Sequence, residues 1–216
     1  MKTLVLTLLC TAVLPAMAQS LCSSDGQPRP SAMLERFVNA DCEGCWRDRA
    51  TPKARPGELS LDWIVPGSRG DDAPLSMAAS DDAAERLRML RRPVPDRTDA
   101  VRSRAVQPAR ALRVAQGEPV NDYIGTSIEM PAARGASRAW LLLVEELPAG
   151  TAGSPVPRRV VRNAMRVDVR AAAALQEARP MQIHEGAQAS RLRVVGLVED
   201  ARGRLVGLAR SHCEAE

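Results

Sequence analysis

The segment Cys42-Glu43-Gly44-Cys45 carries the clearest chemical signal in this chain. Two thiols three residues apart suit thiol–disulfide exchange: one turn of backbone brings the sulfurs within bonding reach, so the first can attack a foreign disulfide and the second can resolve the mixed disulfide that forms. A thiol at a helix start also faces unpaired backbone N–H groups, which favour the thiolate. The carboxylates of Asp41 and Glu43 flank Cys42 and oppose that effect by raising its pKa. The expected roles are therefore Cys42 as attacking thiol, Cys45 as resolving thiol, Asp41 and Glu43 as tuning groups, and Trp46 as cover on the apolar side of the pair.

The same spacing leaves other readings open. A permanent Cys42–Cys45 disulfide would only staple a loop. Structural zinc wants four N or S ligands, and the chain has only His184 and His212 to add to the two thiols. Copper(I) could use the two thiolates alone, but no methionine cluster accompanies them. Neither a metal nor a cofactor is expected. His212 beside Cys213 resembles a Cys–His dyad on paper, yet adjacent side chains on an extended strand point to opposite faces. His184, next to Glu185, reads as a surface residue. The motifs G-x-S-x-G, H-E-x-x-H and G-x-x-x-x-G-K-[ST] do not occur, which leaves the common hydrolase, metalloprotease and P-loop chemistries without their parts.

The N-terminus supplies a context for the thiols. Met1 and Lys2 open with positive charge, residues 4–14 form an apolar run, and Ala16-Met17-Ala18 offers a small-x-small cleavage site, the pattern of a secretory signal peptide. Cleavage after Ala18 would remove Cys10 from the five cysteines and leave Cys22, Cys42, Cys45 and Cys213. An even number suits disulfides in an oxidising compartment, the bacterial periplasm or the exterior. Cys22 and Cys213 lie near opposite ends of the chain, and folded termini often meet, so a disulfide between them is expected. No later apolar run approaches the roughly 20 residues of a membrane helix, and no membrane insertion is expected.

Composition narrows the partners. With 45% hydrophobic and 26% charged residues the chain can build a core. It has three Trp, one Tyr and one Phe, too few to stack bases, and its formal charge of +4 is spread over arginines interleaved with acids. Nucleic acid is not an expected ligand.

Several elements follow from pattern. Residues 33–40 read as a strand running into the C-x-x-C, and residues 58–66 alternate Leu59, Leu61 and Trp63 on one face, a second strand. Ser80 is an N-cap ahead of Asp81 and Asp82, Leu87 and Leu90 are helically spaced, and Arg91-Arg92-Pro93 stops the helix. Residues 93–109, with several prolines and no period, read as a linker. Beyond them residues 111–114, 123–130, 139–147, 160–169, 181–185, 192–199 and 204–210 read as short strands, with a hairpin turn at residues 200–203. Trp63, Trp140 and Tyr123 read as core aromatics.

The run Leu34-Glu35-Arg36-Phe37-Val38-Asn39-Ala40-Asp41-Cys42-Glu43-Gly44-Cys45 resembles V-E-L-F-T-S-x-G-C-x-x-C-P-P of a secreted thioredoxin-like family, the domain of unknown function 1223. Glu35, Phe37 and both cysteines match; Asp41 stands where the family has Gly, and Trp46-Arg47 where it has Pro-Pro. Residues 59–63, 160–162 and 203–209 are similar to later strands of that family. The resemblance implies a thioredoxin-like half. The expected protein is thus α+β: a signal peptide (residues 1–18), a flexible N-terminal arm (19–31), a reduced thioredoxin-like part with the C-x-x-C (32–105), and a mostly antiparallel, sandwich-like β part (106–216). Its expected activity is thiol–disulfide exchange with cysteine-containing envelope proteins. The alternative is a non-enzymatic envelope binding or structural protein, its C-x-x-C a staple and its β part a recognition surface.

Overall fold

A computed structural model describes residues 21–135 and 137–213; the signal peptide expected at residues 1–18 lies outside them. The described chain runs β1 (Cys22–Ser23), β2 (Ala32–Asn39), α1 (Glu43–Trp46), β3 (Glu58–Val65), α2 (Asp81–Met89), β4 (Thr98–Arg104), β5 (Arg113–Val120) and β6 (Tyr123–Met130). It continues through β7 (Ser137–Leu147), β8 (Arg158–Val169), β9 (Leu175–Gln182), β10 (Leu192–Asp200), β11 (Leu205–Arg210) and β12 (His212–Cys213). The strands form a seven-stranded mixed sheet in the order β11-β10-β7-β8-β3-β2-β4 and a five-stranded antiparallel sheet in the order β12-β1-β5-β6-β9.

This architecture overturns the expected α+β class with a reduced thioredoxin-like part at residues 32–105. The protein is nearly all β, with 47% strand against 13% helix and two large sheets. The strands β2, β3 and β4 are not a separate unit: β3 pairs with β8 at Asp62 and Val160, so all three continue the sheet that β7, β8, β10 and β11 build. The C-x-x-C segment forms a single turn, α1, and Pro52 and Pro56 bar a helix further along.

Residues 93–109 are not a linker: they contain β4, antiparallel to β2 from Val38–Thr98 to Ala32–Arg104. As an edge strand β4 keeps every second residue exposed and offers Val101 alone as an apolar contact to the core, so it lacks the hydrophobic signature of an inner strand. Its flanking prolines, Pro95 and Pro108, lie outside its ladder, where their missing N–H groups cost nothing.

The inner strands explain themselves. β2 and β3 run parallel and are buried from Met33 to Asn39 and from Leu59 to Val65, as parallel strands covered on both faces are. On one face Phe37 stacks on Trp63 at 6.3 Å, Trp63 meets Trp140 edge-on at 6.3 Å, and α2 covers them with Ala83 and Leu87. The helix begins where the N-cap pattern placed it: Ser80 Oγ accepts from the Ala83 N–H at 3.3 Å. The other face is shared. Over β7 and β10 it packs against the five-stranded sheet, Leu141 and Val194 meeting Leu112, Val114 and Ile128; over β2 and β3, Val38 and Ile64 pack against Cys45 and Trp46. The two sheets approach closely at Gly196, where a Cβ would lie 2.6 Å from Val114 Cγ1. Trp63 and Trp140 are core residues, but Tyr123 is 46% exposed at the tip of the β5–β6 hairpin. There Asn121 and Asp122 both take positive φ, the conformation a two-residue hairpin turn requires.

Candidate functional site

The parallel strands β2 and β3 end side by side at Asn39 and Val65, and the C-x-x-C loop leaves from that end. Asn39 shapes the exit: its Oδ1 accepts from the Asp41 N–H at 2.9 Å, its Nδ2 donates to Pro95 O at 3.0 Å, and its carbonyl accepts from the Cys42 N–H at 3.0 Å. Cys42 holds the N-cap position of α1, and its carbonyl accepts from the Cys45 N–H at 3.0 Å. The two cysteines are joined in a disulfide with their Cα atoms 5.3 Å apart. Cys42 is half-buried, whereas Cys45 is 4% exposed and packs among Val38, Trp46, Ile64 and Val160. A nucleophile from solvent therefore meets Cys42 first. With only one turn in α1, few backbone dipoles align behind the Cys42 sulfur.

The flanking groups have partners of their own. Asp41 turns towards the loop after β3 and accepts from Ser68 N at 2.8 Å, Ser68 Oγ at 2.9 Å and Arg69 N at 3.3 Å. Desolvation pushes its carboxyl up, but these hydrogen bonds prevail and hold it below the usual carboxylate range. Glu43 pairs with Arg47 at 2.6 Å on the exposed side of α1. Glu43 is thus paired with a cation, whereas Asp41 stays ionised and is held by neutral donors. Trp46 is buried beside Cys45, and its Nε1 donates to Ala152 O at 2.9 Å.

Behind Cys45 lies a group of residues that no sequence motif announced. Arg36 on β2 and Asp62 on β3 are neighbours in the parallel register, and Arg36 Nη2 donates to Asp62 Oδ2 at 2.6 Å. Arg158, the first residue of β8, donates from Nη1 to Asp62 Oδ1 at 3.0 Å and stacks its guanidinium 4.5 Å above the Trp46 ring. All three side chains are buried. Desolvation, reinforced by Arg36, pushes Arg158 below the ordinary arginine range even though Asp62 pulls it up. Cys45, Arg36 and Arg158 line one cavity of about 260 Å³, together with Thr51 and Thr98. The signal that could have found this cluster is a charge inside an apolar strand: Arg36 stands between Leu34 and Val38, and Asp62 between Ser60 and Ile64 on the same face.

The remaining candidates fall elsewhere. Cys22 and Cys213 form the second disulfide, directly opposite each other on β1 and β12 with Cα atoms 4.1 Å apart. It fastens the segment read as an N-terminal arm to the C-terminal strand. Cys213 therefore has no thiol to share with His212, whose ring lies 3.3 Å from Arg210 Nη2. Among the described residues there is no group of three or more His, Cys, Asp or Glu that could hold a metal ion, and no helix long and apolar enough to cross a membrane.

Fold and site together define a two-sheet β protein with two intramolecular disulfides, one joining its ends and one in a surface C-x-x-C turn. The disulfides are compatible with an oxidising, extracytoplasmic location. No family model and no curated protein matches the chain. Among solved structures it is similar to the crystal structure of a protein of Agrobacterium tumefaciens determined as a structural-genomics target, at 13% identity and a TM-score of 0.46, over 88% of this chain and 99% of that one.

Proposed function

We propose that this protein is a periplasmic or secreted thiol–disulfide exchange protein that acts through Cys42 and Cys45 on cysteine-containing envelope proteins. The unequal burial of the two cysteines carries the reading: Cys42 is half-buried and Cys45 is buried, so attack has a direction. A partner thiolate attacks Cys42 Sγ, a partner–Cys42 bond forms, the Cys42–Cys45 bond breaks, and its electron pair leaves on Cys45 Sγ. A second partner thiolate then attacks the partner's sulfur in the mixed disulfide and releases Cys42. The partner dithiol has lost two electrons to the Cys42–Cys45 pair, and its protons pass to the released thiolates or to water. The match of Glu35, Phe37, Cys42 and Cys45 to the motif of domain of unknown function 1223, and the signal-peptide pattern of residues 1–18, support the same reading.

The test is the reduction potential of the pair in the protein cleaved after Ala18, read by alkylation and mass spectrometry across glutathione buffers. A potential between about −120 and −270 mV with a fast-reacting Cys42 is expected. Cys45→Ser should trap a mixed disulfide with a test peptide supplied as a disulfide, its Cys42 thiolate displacing one half of that disulfide as a thiolate, and Cys42→Ser should not. A potential below about −300 mV with inert thiols would make the bond structural.

A binding role has an observation of its own. An open cleft of about 770 Å³ lies beside β5, β6 and the chain between Ser24 and Arg29, distant in sequence from the C-x-x-C. Arg113 pairs there with Asp25 and Glu129, Arg29 adds a further cation, and Leu112 and Met130 give it an apolar floor. In that reading Cys42→Ser alters thermal stability and leaves partner capture intact.

A further inference from the structure

We infer that Arg158, with Arg36 behind it, is a positioning residue that stabilises Cys45 as a thiolate when the disulfide opens. The inference rests on the exchange reading and says which sulfur of the pair takes the charge, and why.

Two guanidinium groups, Arg36 and Arg158, share one buried carboxylate, Asp62. Both oxygens of Asp62 are used: Oδ1 accepts from Arg158 Nη1, while Oδ2 accepts from Arg36 Nη2 and from the Arg159 N–H at 2.8 Å. Of the other carboxylates of this cavity, Asp99 is paired with Arg92, while Asp48 is exposed, its Oδ1 accepts from the Ala50 N–H at 2.8 Å, and its attraction on Arg158 is weaker than the repulsion from Arg36. One buried positive charge thus has no buried counter-charge, an arrangement that disfavours itself in a medium of low polarity. Arg36 Nε, also buried, donates to no acceptor among the described residues.

The exchange step supplies the missing anion. While Cys42 and Cys45 are bonded, neither sulfur carries charge. When a partner thiolate takes Cys42, the electron pair of the broken bond arrives on Cys45 Sγ, on the wall of the cavity that Arg36 and Arg158 line. Arg158 is held for that moment by neutral groups: Nε donates to Ser154 Oγ at 2.8 Å, and Nη2 donates to Thr51 Oγ1 at 3.2 Å and to the carbonyl of Trp46, the residue after Cys45, at 2.8 Å. These bonds orient the guanidinium without cancelling its charge. A charge stabilised in the reduced form makes the pair a stronger oxidant, because the leaving thiolate is the better one and the dithiol is the more stable state.

Two variants move the buried charge in opposite directions. Arg158→Gln leaves Arg36 and Asp62 as a neutral pair; the equilibrium with glutathione should shift tenfold or more towards the disulfide, a potential about 30 mV or more further negative, and the Cys45 pKa should rise. Asp62→Asn leaves two unopposed cations and should shift the same equilibrium at least tenfold towards the dithiol, with a lower Cys45 pKa. Potentials are read as above, and the Cys45 thiolate by its ultraviolet absorbance against pH in a Cys42→Ser background. Arg36→Gln, which leaves Asp62 paired with Arg158, takes the place of either variant that fails to fold and should behave as Arg158→Gln does. Potentials and Cys45 titrations that agree within twofold across folded variants overturn the inference. If the unsubstituted protein lies below about −300 mV with an inert Cys42, the exchange reading fails, and opposite shifts in the two variants still establish the charge effect on Cys45.

Discussion

The two disulfides of this protein are the same bond in contrasting places. Cys22–Cys213 joins residues 191 apart, lies across the paired strands β1 and β12 at one edge of the five-stranded sheet, and involves a cysteine that is 1% exposed. Cys42–Cys45 spans a separation of 3, in a surface turn, with a buried cluster of two cations and one anion behind it. Closing the long loop removes far more freedom from the unfolded chain: the chain-entropy relation puts its stabilisation at about 5 kcal/mol against about 2 kcal/mol for the short one. The long bond therefore acts mainly on the unfolded state. The short bond contributes little to stability, and opening it releases a sulfur on the wall of the cavity that Arg158 also lines. A C-x-x-C is suited to exchange for that reason: its loss does not take the scaffold with it.

The largest effect should come from the clasp. Cys22→Ala with Cys213→Ala is expected to lower stability by about 5 kcal/mol and Tm by roughly 10–20 °C, whereas Cys42→Ala with Cys45→Ala should remove about 2 kcal/mol. Equal shifts in calorimetry would break the comparison. Next in size is Trp46→Ala, expected to remove about 3 kcal/mol in denaturant titrations, since it empties a buried site, strands the Ala152 carbonyl and uncovers Arg158. A loss below about 1 kcal/mol would show that the short bond, and not Trp46, anchors the turn.

The smallest effect sharpens the contrast through pH. Burial first, and then the neighbouring Arg210, hold His212 below the ordinary imidazole range, with Glu146 pulling the other way and Arg193 and Arg159 adding to Arg210. Between that lowered pKa and about 6.5 the unfolded chain binds more protons than the folded one, so stability rises with pH there. The contribution is complete above about pH 6.5 and is lost as pH falls through the folded value. Because His212 precedes Cys213, acid loosens the clasped end and not the C-x-x-C turn. Melting curves from about pH 7 down to about pH 5 should show the decline, and His212→Gln should flatten it. An unchanged slope in that variant would assign the acid sensitivity to other groups.

Local pattern was enough for much of this protein. The Ser80 cap and the spacing of Leu87 located α2, alternating or continuous apolar runs located β3, β6, β7, β8, β10 and β11, and the turn at Gly203 joins the last two, because each of these signals lies within a few residues. The cysteine arithmetic likewise indicated both disulfides, since four thiols in an oxidising compartment have few ways to pair. What only the tertiary structure decided is how far apart in sequence the neighbours are. β4 is a strand because β2 offers it an edge, and its own residues, flanked by prolines, look like a linker. The thioredoxin-like half dissolved because β3 pairs with β8, about a hundred positions later, a pairing that leaves no mark on either segment. Arg36 and Asp62 meet Arg158 in the same way, at a separation of 96 for Asp62 and Arg158. Periodicity reads one element at a time, whereas a buried charge is made tolerable by partners from other elements, so the group that tunes Cys45 became visible only once three strands stood side by side.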